Sequence, residues 1–170
     1  MQCITKYDSL LGQLTLASDG KNITGLWIEG QKYFGMTLKQ PVVEKKLPVF
    51  EEAIRWLDLY FAGKNPKITF GVCPEGTEFQ KMIWCILCEI PYGKTITYGE
   101  IARLAATRSG KKNMSAQAVG GAVGHNPVSV IIPCHRVVGS NGSLTGYAGG
   151  IQKKRWLLEL EGVDVSSFSL

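Results

Sequence analysis

Residues 97 to 123 read Thr97-Tyr-Gly-Glu-Ile-Ala-Arg-Leu-Ala-Ala-Thr-Arg-Ser-Gly-Lys-Lys-Asn-Met-Ser-Ala-Gln-Ala-Val-Gly-Gly-Ala-Val123. Thr97 and Glu100 have the spacing of a capping box, so a helix opens there and runs through Ile101, Leu104 and Ala105. The basic, polar stretch Arg108-Ser-Gly-Lys-Lys-Asn113 forms a loop. Ser115 then caps a second helix, Ala116 to Val123, with almost no bulky side chains. Helix, short loop and small-residue helix make a helix-turn-helix pattern. Gly120 and Gly121 each cost about 1 kcal/mol against alanine inside a helix. A helix that tolerates this cost is shaped for close approach, either to a neighbouring helix or to DNA.

Upstream, Thr77-Glu-Phe-Gln80 is another capping box. It opens a helix to about Glu89 with Phe79, Ile83, Trp84, Leu87 and Cys88 on its apolar face, and Pro91-Tyr-Gly93 breaks the chain after it. Downstream, Ile151 to Glu161 is helical and Gly162 closes it. The N-terminal part has a different period. Gln13 to Ser18 alternates, Asp19-Gly-Lys-Asn22 is a turn, and Ile23 to Ile28 resumes the strand, which predicts a hairpin. Pro48 to Ala62 is an amphipathic helix, Lys67-Ile-Thr-Phe70 a short strand, and Gly71 to Gly76 a linker. The expected division is a strand-rich domain over 1–76 and a mainly helical domain over 77–170, an α+β chain.

The chain has 170 residues and a net charge of +5. Residues 1–76 carry nine Lys/Arg against eight Asp/Glu, and residues 77–170 carry ten against six, so the excess lies in the second half. That bias is compatible with nucleic acid without requiring it. No apolar run is long enough to span a membrane, and the first residues lack a secretory core. Five cysteines, an odd number, do not suggest a disulfide framework, so a reducing, cytoplasmic location is expected. Cys85-Ile-Leu-Cys88 has the spacing of a redox pair or half a zinc knuckle, but its helical, apolar setting favours buried thiols.

The stretch Asn126-Pro-Val-Ser-Val-Ile-Ile-Pro-Cys-His-Arg-Val-Val138 carries the chemistry. Cys134 ends an apolar, strand-like segment and is followed by a base and a cation. A cysteine attacks as the thiolate, and an imidazole and a guanidinium are the groups that favour it. A zinc deaminase would need a second cysteine at 137, where Val stands, and a His-x-Glu upstream. Haem attachment needs Cys-x-x-Cys-His, but Glu89 follows Cys88.

Pro133-Cys-His-Arg-Val137 resembles the signature of the O6-alkylguanine-DNA alkyltransferases. So do Ile90-Pro-Tyr-Gly93, Thr97-Tyr-Gly-Glu-Ile-Ala102, Ala118-Val-Gly-Gly-Ala122, Asn126-Pro127, Gly146-Tyr-Ala-Gly-Gly150 and Trp156-Leu-Leu-Glu-Leu-Glu-Gly162, in order. The resemblance is specific over 77–163 and looser over 1–76, where it implies an RNase H-like N-terminal domain. It implies single-turnover transfer of an alkyl group from guanine O6, and from thymine O4 as a further substrate, to a cysteine, without a cofactor. Cys134 would be the acceptor, His135 its base acting through water, and Glu161 the group holding His135. Tyr98 would hydrogen-bond guanine N3, and Asn126 would brace the active-site turn. Tyr147 would line the pocket, with the backbones of Cys134, Val137 and Ala148 reading the base. The partner would be double-stranded DNA bound through its minor groove by a monomer, contacted by Ala116, Gln117, Ala118, Gly120 and Gly121, with Arg136 either facing phosphate or serving as a structural ion-pair partner.

Two departures stand out. Familiar members carry an arginine before Ala-Val-Gly-Gly to fill the gap left by the flipped base, and this chain has Gln117. Some members hold zinc in the N-terminal domain, but residues 1–76 offer only Cys3 and Cys73 and no histidine, so no metal is expected. The rival class is a non-catalytic lesion-sensing protein built on the same helices.

Overall fold

The structure is a computed structural model and describes residues 1–169. The chain forms two compact units. One comprises Met1–Glu75 with Pro127–Ile131, and the other Gly76–Asn126 with the described chain from Ile132 onward.

The first unit is a five-stranded sheet. Strands β1 (Gln2–Ser9), β2 (Gly12–Ser18) and β3 (Asn22–Ile28) form an antiparallel meander. The short strands β4 (Val42–Glu44) and β5 (Gly71–Val72) pair in parallel with β1 and β3, giving the order β4-β1-β2-β3-β5. The expected hairpin is β2–β3. Its turn is fixed by Asp19, whose carboxylate accepts from the Lys21 and Asn22 amides at 2.9 and 2.8 Å. Helix α1 (Pro48–Phe61) buries Phe50, Ala53, Trp56, Leu57 and Tyr60. The strand expected over Lys67–Phe70 instead sits at Gly71–Val72. Glycine has no strand propensity, but a Cβ at Gly71 would collide with the Asn22 side chain, so this edge needs it.

The segment Pro127–Ile131, expected as a strand, is mostly turn. Leu26 donates to Pro127 O at 2.8 Å, Ser129 donates back to Leu26 O at 3.0 Å, and Val128 makes one isolated bridge to Leu26. Val130 has φ of 71°, a left-handed conformation that disfavours a β-branched residue and prevents the strand from continuing.

The second unit contains α2 (Glu78–Cys88), α3 (Tyr98–Ser109), α4 (Ala116–Gly124) and α5 (Ile151–Leu160). A short parallel pair joins β6 (Ile96–Thr97) to β7 (Val137–Val138). Both halves of the capping box form at Thr77, with 3.1 and 3.0 Å bonds between Thr77 and Gln80. At Thr97 only the hydroxyl half forms, with Glu100 N donating at 3.1 Å. Helices α3 and α4 are the expected helix-turn-helix. Trp84 of α2 supports it by donating from Nε1 to Ala122 O at 2.9 Å. Cys85 and Cys88 are solvent-exposed, contrary to the expectation of buried thiols. The buried face of α2 is Ile83, Trp84, Ile86 and Leu87, so Ile86 takes the place expected for Cys88. Among the described residues, no helix is long and apolar enough to cross a membrane.

Candidate active site

Cys134 opens a single 3-10 turn, Cys134–Arg136, and its amide donates to Ile132 O at 2.8 Å. The turn leads into β7, whose register sets Ile96 against Val137 and Thr97 against Val138. This pairing carries Tyr98, the first residue of α3, to the nucleophile. After α4, Asn126 donates from Nδ2 to Ile132 O at 2.8 Å, and its side chain also hydrogen-bonds Cys134. Asn126 therefore braces the turn and touches the sulfur.

The sulfur is in a dry place. Cys134 is 4% exposed, and burial pushes its thiol up. The Asn126 hydrogen bond, the Lys154 charge and the local backbone amide oppose that rise. His135 is fully buried, with Nε2 2.6 Å from Glu161 Oε2. Burial lowers the imidazole pKa, while Glu161 pulls it up and Arg136 and Lys154 push it further down. The resting ring is neutral. With Nε2 facing a carboxylate, the proton is assigned to Nε2, which makes Nδ1 the acceptor nitrogen.

Glu161 follows α5 and is 5% exposed. Its Oε2 accepts from His135 Nε2 and from Arg136 Nη2 at 3.1 Å. Its Oε1 accepts from Arg136 Nε at 2.8 Å and from the Gly93 amide at 3.2 Å. A buried carboxylate with this many donors is held as the anion. Arg136 completes its fork by donating from Nη1 to Ile90 O at 2.7 Å, and its guanidinium lies over the Tyr92 ring. Arg136 was expected to be a structural ion-pair partner or to face DNA phosphate. Its guanidinium is turned inward onto Glu161, because an ionised carboxylate buried beside it requires a cation.

The other wall is built on Thr145. Its carbonyl accepts from Tyr98 Oη at 3.3 Å and from Lys154 Nζ at 3.4 Å. Burial, then the nearby Cys134, pushes the Tyr98 hydroxyl up to about 12, so it stays protonated and able to donate. A Cβ at Gly146 would sit 2.7 Å from Tyr98 Oη, and its φ is 95°, so glycine is required there twice over. Lys154 is fully buried, and burial drops its ammonium to about 8. Sequence reasoning missed this residue. Its signal was the spacing Lys154, Leu157, Leu158, which places a cation on the apolar face of α5.

Of the remaining expected residues, Val137 and Tyr147 are buried and Ala148 is half-buried. Ala116, Gln117, Ala118 and Gly121 are exposed on α4, and Gly120 is partly so. A Cβ at Gly121 would meet nothing within 4 Å, and one at Gly120 only ordinary contact with Tyr98. Internal packing therefore does not account for the two glycines.

Residues 78–163 match the family described as 6-O-methylguanine DNA methyltransferase, DNA binding domain, and residues 3–72 match its ribonuclease-like domain. A methylated-DNA–protein-cysteine methyltransferase of Methanosarcina acetivorans is 42% identical over 92% of this chain and 96% of its own. The Mycobacterium tuberculosis OGT crystallised with DNA superposes with a TM-score of 0.81 at 42% identity, covering 94% of this chain and 92% of that one. An O6-methylguanine DNA methyltransferase from Methanococcus jannaschii gives 0.65 at 31% identity, covering 98% of both chains.

Proposed function

The chain belongs to the 6-O-methylguanine DNA methyltransferase family, and on that premise we propose how its own residues perform the reaction, with Cys134 as acceptor. It is a DNA-binding repair protein that moves an alkyl group from methylated DNA to a protein cysteine. The observation that carries this reading is a buried Cys134 thiol that hydrogen-bonds Asn126 and feels the Lys154 charge, followed directly in the chain by the histidine of the buried His135–Glu161 pair.

The target nucleotide leaves the stack at a cost of a few kcal/mol. The exposed small residues of α4 lie against the minor groove, and Gln117 fills the gap the base leaves. Gln117→Ala slows repair of duplex DNA more than reaction with the free base; equal losses on both exclude this role. Inside the site His135 accepts the Cys134 proton through water, becoming an imidazolium beside Glu161. The sulfur lone pair forms the S–C bond as the C–O6 bond breaks, and the electron pair passes onto the guanine. Tyr98, a protonated hydroxyl next to the sulfur, donates to guanine N3 and stabilises that charge. The thioether does not revert, so each monomer acts once.

An intact-mass measurement after incubation with O6-methylguanine DNA tests this. The expected product is one adduct of about 14 Da, mapped to Cys134 and absent from Cys134→Ser, with no turnover. Tight binding without an adduct would instead indicate a lesion sensor.

A further inference from the structure

Arg136 and His135 share one buried carboxylate. Glu161 Oε2 is 2.6 Å from His135 Nε2 and 3.1 Å from Arg136 Nη2, while Arg136 Nε holds Oε1 at 2.8 Å. The arginine fork is fixed from behind by Ile90 O at 2.7 Å, and only 11% of the side chain is exposed. A guanidinium cannot give up its proton in a protein. Glu161 therefore already has a permanent cation, and it needs no proton on His135 to be neutralised.

We infer that Arg136 is a positioning residue for the transfer: by pairing Glu161 permanently, it keeps His135 neutral with Nε2 as donor and Nδ1 as acceptor. This role rests on the reading of Cys134 as the alkyl acceptor.

The charges around His135 agree. Glu161 attracts a proton to it, while Arg136 and, from α5, Lys154 repel one. Cys134 precedes it in the turn, and Tyr92 and Cys88 lie in the field of Arg136. Of these groups, Arg136 contacts the carboxylate and keeps its charge at every working pH. Without it, the His135–Glu161 pair takes up a further proton at higher pH. If that proton sits on the imidazole, both ring nitrogens are donors. If it sits on Glu161, the carboxyl donates to Nε2 and the ring proton moves to Nδ1. In both cases the acceptor nitrogen is lost, and with it the relay from the thiol.

The test is the pH profile of single-turnover alkyl transfer from O6-methylguanine duplex for wild type, Arg136→Met and Arg136→Lys. Wild type should hold its rate to below pH 6.5. Arg136→Met should lose about tenfold at pH 6 and recover to within about threefold of wild type at pH 8.5. Arg136→Lys should keep the wild-type acid limb even if its melting temperature falls. A loss for Arg136→Met that is equal at every pH, or no loss, overturns the inference, since a purely structural role would not move the limb. Nitrogen-15 shifts of His135 in the wild-type protein read the tautomer without DNA or any variant. An Nδ1-H ring would also overturn it. A wild type that never alkylates Cys134 would instead sink the functional reading.

Discussion

At the scale of the residue, the least expected group is Lys154. A fully buried ammonium is costly, and its pKa of about 8 reflects that cost. What it gains is the neighbouring sulfur, whose thiolate it favours. Lys154→Met keeps the volume of the side chain and removes the charge. The Cys134 thiol should then rise further, and alkyl transfer at pH 7 should fall about tenfold, the effect of one pKa unit. The melting temperature should stay level or rise, because a buried cation has been removed. The sign with pH is specific. Lys154 loses its proton as pH passes about 8, so the wild-type advantage should shrink between pH 7 and 9.5. Site-resolved labelling of Cys134 by iodoacetamide across that range measures it, and a constant ratio would exclude the electrostatic role. Cys134, His135, Tyr98, Asn126 and Glu161 were legible in the sequence because each falls in a short pattern. Lys154 was not, since a lone lysine in an α5 stretch with Lys153 and Arg155 looks like a solvated face until burial is known. Arg136 was legible as a structural or phosphate-facing cation, but its partner was not, because Glu161 lies 25 residues away in sequence.

At the scale of the element, α4 separates stability from function. Gly121 is exposed, and a Cβ there would meet open space. Its backbone is helical, so alanine fits without strain. Gly121→Ala should therefore stabilise the protein by about 0.5–1 kcal/mol through helix propensity and a less flexible unfolded chain. The same methyl group should weaken binding to duplex DNA if α4 lies against the minor groove. Thermal melts and fluorescence anisotropy on one variant read both effects. A gain in stability with unchanged DNA affinity would remove α4 from the interface. The helices were read well from sequence, because caps at Thr77, Thr97 and Ser115 are local signals that tertiary packing leaves intact. The strands were read less well. β1 lacks a clean alternation, β5 starts on a glycine, and Pro127–Ile131 is apolar like a strand but bends at Val130. For β5 and Pro127–Ile131, a partner distant in sequence decides the backbone.

At the scale of the whole molecule, the formal charge overstates what DNA can feel. The ten Lys/Arg of residues 77–170 include Arg136, held by Glu161, and Lys154, fully buried. Three more are in surface pairs: Arg108 with Glu89, Lys81 with Glu78 and Arg155 with Glu159. Lys94, Arg103, Lys111 and Lys112 are exposed and outside every ion pair described. If about three or four phosphates are neutralised, log K should fall with log salt with a slope of about −2.7 to −3.6. Raising salt from about 50 to 200 mM would then weaken binding to undamaged duplex about 40- to 150-fold, far less than for a protein clamping many phosphates. Lys111→Ala with Lys112→Ala should flatten the slope by about 2 units if the loop between α3 and α4 touches the backbone. An unchanged slope would mean that this basic loop is merely solvated. A wild-type slope steeper than about −6 would mean that cations of residues 1–76 also reach the duplex. If α4 lies against a groove with only small side chains and few cations reach the backbone, selection for the lesion should rest on the site around Cys134 rather than on affinity for DNA.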